Sequence, residues 1–142
     1  MLRYKLRTLL IVLALVPMVL AEAAHAAPPS DADIRRLIVG KWHHEEMPVY
    51  GYWTGDWTYR EDGTFELVQT SRRFGEEPTK TIHSGTWKVA DGKVVESYKE
   101  SLAPSFSSSK TQQITVLEIN ERVMVWSFGP GFMTSRRTRV AP

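Results

Sequence analysis

From Val39 onward, apolar and polar residues alternate with a period of two, and Gly, Asp, Asn and Pro interrupt the alternation about every ten to fifteen residues. Trp57 and Tyr59 share one face of a strand that runs into Glu61-Asp62-Gly63 and returns through Phe65 and Leu67. The Asp-Gly step supplies the positive φ that tight hairpins require. The same device recurs where residues 85–89 meet Asp91-Gly92 and continue as 93–98. Residues 114–119 turn at Asn120-Glu121 and return as 122–128; Gly129-Pro130-Gly131 stops that strand, and 133–140 form a last one. Ahead of the strands the period is helical. Ser30-Asp31-Ala32-Asp33 resembles a capping box, with Ser30 as N-cap, and predicts a short helix through Ile34, Leu37 and Ile38 that ends at Gly40.

This gives about eight strands with no helical period between them, which speaks against a parallel sheet. Successive hairpins favour an up-and-down meander, and closing it removes two exposed edges. The expected fold is therefore all-β: a small antiparallel up-and-down β-barrel with a short N-terminal helix. A two-sheet β-sandwich is the alternative. Residues 100–111, rich in Ser and holding Pro104, read as a loop within the domain, and 74–80 as a charged turn.

The first 26 residues follow another logic. Arg3, Lys5 and Arg7 precede an apolar run at 8–21 broken by Pro17, and Ala24-His25-Ala26 fits a small-x-small cleavage site before Ala27. That run is shorter than the ~20 residues a spanning helix needs. We expect 1–26 to be a cleaved secretory signal and 27–142 to be one periplasmic or secreted domain with no membrane span.

The expected cleavage changes the charge picture. The full chain has 18 Lys+Arg against 16 Asp+Glu; losing Arg3, Lys5, Arg7 and Glu22 leaves 15 of each. Arg136, Arg137 and Arg139 are then the one dense basic group, so a nucleic-acid partner is excluded. With no cysteine, disulfides, thiolate zinc sites and a Cys nucleophile are excluded too.

A short helix followed by Gly40-Lys41-Trp42 at the first strand, with Arg136, Arg137 and Arg139 in the last, resembles the Gly-x-Trp signature of the lipocalins and the wider calycin group. The resemblance implies an eight-stranded barrel whose narrow end is closed by the Trp, packed under a basic residue from near the last strand. Carried onto this chain, it implies Gly40, Trp42 and Arg137 as structural closure. The chain has no Thr-Asp-x motif and no long C-terminal helix, so it looks like a compact bacterial lipocalin-like domain. The exported metalloprotease-inhibitor barrels share the Gly-x-Trp start, but they normally carry a disulfide that this chain cannot form.

The aromatic residues supply the candidate ligand contacts. Tyr50, Tyr52, Trp53, Trp57 and Tyr59 lie close together, a density that suits cores, pockets and partner surfaces alike. Tyr52, Trp53, Trp57, Phe65, Trp87 and Trp126 are the expected lining of a barrel interior that holds a small apolar or amphipathic molecule. His43-His44-Glu45-Glu46 offers each strand face at most one His and one carboxylate, fewer than the three or four ligands of a zinc site. His83 could add a ligand only from an adjacent strand. Ser84-Gly85 is no nucleophile elbow, and Gly129-Pro130-Gly131 lacks the Lys of a phosphate loop. The expectation is an exported binding protein with no metal, no cofactor and no catalysis. A protein-binding module is the alternative, such as an inhibitor of an exported hydrolase that makes contact through residues 27–33 or 100–111.

Overall fold

The computed structural model describes residues 27–47, 51–99 and 110–141. The expected signal at 1–26, Tyr50 and residues 100–109 of the serine-rich stretch lie outside the described residues.

Helix α1 (Asp31–Ile38) begins where the capping signal stands. Ser30 Oγ accepts the Asp33 amide at 3.2 Å and donates to Asp33 Oδ2 at 2.6 Å. Asp31 and Asp33 occupy the first turn and Arg35 and Arg36 the last, each sign at the end the helix dipole favours.

Eight strands follow: β1 (Gly40–Glu46), β2 (Gly51–Tyr59), β3 (Thr64–Arg73), β4 (Thr79–Ala90), β5 (Lys93–Tyr98), β6 (Thr111–Ile119), β7 (Val123–Ser127) and β8 (Ser135–Arg139). Each pairs antiparallel with the next, and β8 pairs with β1, so the sheet is a closed barrel in up-and-down order. The alternating pattern permits closure because β1 to β7 each turn apolar side chains inward, while β8 turns Arg137 and Arg139 inward. At the β4–β5 turn, Asp91 and Gly92 both take positive φ, 54° and 70°, as a two-residue hairpin demands. Asn120 Oδ1 holds the β6–β7 turn by accepting the amides of Arg122 and Val123 at 2.8 and 2.9 Å. A bulge in β6 between Val116 and Glu118 resets the alternation, so Ile114, Val116 and Ile119 are buried while Leu117 is exposed.

Helix α1 covers the barrel end where β1 begins. Ile34 and Ile38 are fully buried, in one core with Trp42, Tyr59, Phe65, Val89, Val94 and Met124. Two polar ties fix the helix there: Asp31 Oδ1 accepts the Gly92 amide at 2.7 Å, and Arg35 Nη2 donates to the Val89 carbonyl at 2.8 Å.

The closure itself corrects one expectation. The guanidinium over Trp42 belongs to Arg139, not Arg137; its central carbon lies 4.5 Å from the ring centroid. Arg139 also donates to the carbonyls of Val39, at 2.8 Å, and Leu37, capping the end of α1. The physical reason is register: β1 and β8 place Trp42 opposite Arg139, while Arg137 shares that face two positions deeper in the barrel. Gly40, at φ 129°, lies directly beneath the Arg139 guanidinium, and any side chain there would meet it.

Candidate functional site

Beyond the closed end, the barrel interior turns polar around one carboxylate. Strand β5 directs Val94, Glu96 and Tyr98 to the buried side, and Glu96 is fully enclosed. Its Oε2 accepts from Tyr98 Oη at 2.6 Å and its Oε1 accepts from Tyr59 Oη. Arg137, also fully buried, donates through Nη1 to Tyr59 Oη at 2.6 Å and lies 3.6 Å from Glu96 Oε1. Burial pushes the Tyr59 phenol well above its ordinary range against the pull of the Arg137 charge, and burial with the Glu96 charge does the same for Tyr98. Both tyrosines therefore act as neutral donors.

The other side of Arg137 is aromatic. Its guanidinium lies 3.7 Å from the Trp57 ring centroid and 5.0 Å from that of Trp126. Gly55 makes this possible, because a Cβ there would run into the Trp57 indole. His44, buried on β1, stands edge-on to Trp53, Trp57 and Trp126 at centroid distances of 5.2, 6.5 and 5.9 Å. Its Nδ1 lies 2.7 Å from the Arg136 carbonyl, and a carbonyl only accepts, so Nδ1 carries a proton.

Three donors in this cluster stand out. Arg137 Nε, Trp57 Nε1 and Trp126 Nε1 are buried and have no acceptor among the described residues. Buried polar groups are almost always paired, and each unpaired one costs about 1–3 kcal/mol.

From Trp126 the aromatic surface continues outward. Phe128 meets Trp126 at 4.8 Å and Phe132 at 6.2 Å, both edge-on. Phe128, Phe132 and Met133, on the β7–β8 connection, are exposed, as are Met47 after β1 and Phe74 after β3. All of them follow strand ends opposite α1, so that rim of the barrel carries exposed apolar side chains among its charged ones.

The residues expected to line a ligand chamber divide among several environments. Trp57 and Trp126 flank Arg137, and half-buried Trp53 joins them edge-on to Trp57, at 6.0 Å, and through His44. Phe65 lies toward the closed end against Tyr59 and Tyr98, at 6.0 and 5.0 Å. Trp87 packs 5.8 Å from Tyr59, and its Nε1 donates to the carbonyls of Arg60 and Thr64, tying down the β2–β3 turn. Tyr52 departs from expectation: it is exposed on the outer face, because it adjoins Trp53 and neighbours in a strand point opposite ways.

Sequence reasoning missed Glu96, Tyr98, His44 and Gly55. The signal for Glu96 was present, since it alternates with Val94 and Tyr98 on what reads as an inward face.

The remaining histidines are dispersed. His43 points outward, with Nδ1 2.6 Å from Asp56 Oδ1, while His83 lies on β4, which does not adjoin β1. No group of three or more His, Asp or Glu among the described residues could hold a metal ion. No helix among the described residues is long and apolar enough to cross a membrane.

No protein family model and no curated protein matches the chain. One similar solved structure is the crystal structure of an uncharacterized protein from Bacteroides eggerthii DSM 20697. The match covers 72% of this chain and 98% of that one, at 12% identity and a TM-score of 0.51. It concerns the fold alone, which in this chain is a closed, eight-stranded antiparallel barrel.

Proposed function

We propose that this chain is an exported, lipocalin-like binding protein that takes a small amphipathic molecule into the barrel interior and does no chemistry on it. One observation carries the reading: the Arg137 Nε, Trp57 Nε1 and Trp126 Nε1 donors are buried together without acceptors among the described residues. A ligand oxygen among them would supply what the side chains lack. The rings of Trp53, Trp57, Trp126 and His44 suit an apolar body beside it, and the exposed Phe128, Phe132 and Met133 suit its entry. The export half rests on the basic, apolar and small-residue order of residues 1–26.

Native mass spectrometry of the protein purified from its own host's envelope, with a denatured control, tests the reading. The expected result is an excess mass of a few hundred daltons that denaturation releases. A bare mass would remove the binding claim. A co-purifying protein in place of a small molecule would favour the inhibitor-type alternative.

A further inference from the structure

We infer that the ligand's polar end is an uncharged hydrogen-bond acceptor (a ketone, ester or amide oxygen) and that Glu96 turns free carboxylates away. The inference deepens the binding reading above and rests on it. The unmet groups beside Arg137 are all N–H donors, so the ligand must accept there. A carboxylate is the obvious acceptor for an arginine, but here that role is taken. Both oxygens of Glu96 already accept from phenols, and its Oε1 lies 3.6 Å from the Arg137 guanidinium, as an ion pair. The two charges cancel inside a fully enclosed space.

A second carboxylate would bring net negative charge to a site shielded from water, with its nearest cation already shared. A carbonyl oxygen would take the same hydrogen bonds and leave the balance intact. The other titratable groups near the cluster are His44, whose Nδ1 is committed to the Arg136 carbonyl and whose Nε2 lies 3.8 Å from Glu46 Oε1, His83, 6.2 Å from the Tyr98 ring, and Tyr59 and Tyr98, both held neutral. The bare hydrocarbon is disfavoured for a different reason, since it would leave three donors unmatched.

The test is a matched series measured by equilibrium dialysis at neutral pH: 2-naphthylacetate, its methyl ester, its primary amide, and 2-ethylnaphthalene. The ester and amide should bind at least about tenfold more tightly than the carboxylate and more tightly than the hydrocarbon. Glu96→Gln should narrow or reverse the margin against the carboxylate. The wild-type series stands alone if that variant does not fold. A carboxylate that binds as tightly as its ester, or a hydrocarbon that does so, would overturn the inference and leave the binding reading in place. No binding by any of the four would overturn both.

Discussion

Arg137 and Glu96 are each fully buried, and each is the other's only opposite charge in the cluster. Such a pair adds little as a unit, yet losing one member strands the other in a low-dielectric interior. Glu96→Leu should cost about 3–5 kcal/mol of stability. Adding Arg137→Met should restore part of it, so that urea denaturation of the single and double variants gives a clear coupling. Additive losses would mean that the two charges do not depend on each other. At this scale the chain is half legible. A carboxylate on the face shared by Val94 and Tyr98 marks itself as buried, but nothing near it names its partner, which arrives from the far end of the chain. Tyr52 and Trp53 make a simpler case: the alternating pattern marks the strand only from Trp57, whereas β2 begins at Gly51, and adjacent residues within it cannot both face inward.

The elements are more legible than their depth in the barrel. Helix α1 and the hairpins at Glu61-Asp62-Gly63, Asp91-Gly92 and Asn120-Glu121 stand where their signals do, because caps and turns are written within a few residues. The offset between β1 and β8 has no such local mark. Arg137 and Arg139 share one face, and only the pairing of Trp42 with Arg139 decides which of them closes the end. For α1 the cap and the packing carry different weights. Ser30→Ala should cost about 1 kcal/mol, the usual effect of a lost N-cap. Ile34→Ala should cost about 2–5 kcal/mol, because that side chain fills the barrel end. Thermal denaturation of both variants checks the order, and equal losses would mean that α1 does not depend on its seat in the barrel.

For the whole molecule, the buried phenols set an alkaline limit. Tyr59 and Tyr98 keep their protons in the folded barrel well past the ordinary range, whereas in the unfolded chain they ionise near pH 10. The folded state then holds more protons than the unfolded one, so this contribution is complete below about pH 10 and is lost above it. Two groups give a slope of about 2.7 kcal/mol per pH unit. Phenolate absorbance should accordingly rise for Tyr59 and Tyr98 only as the fold collapses; their titration near pH 10 in an intact barrel would show the cluster to be wet. Closure has a consequence of another kind. Seven of the eight strand ladders join neighbours in sequence, and only β1–β8 joins the two ends of the sheet. That ladder spans just Trp42↔Arg139 and His43↔Thr138, while β2–β3 runs from Gly51↔Arg73 to Tyr59↔Phe65. Unzipping it would unroll the cylinder without breaking a single hairpin. The shortest ladder in the wall therefore runs along that line, and Arg139, bonded to the end of α1 and stacked on Trp42, reinforces it.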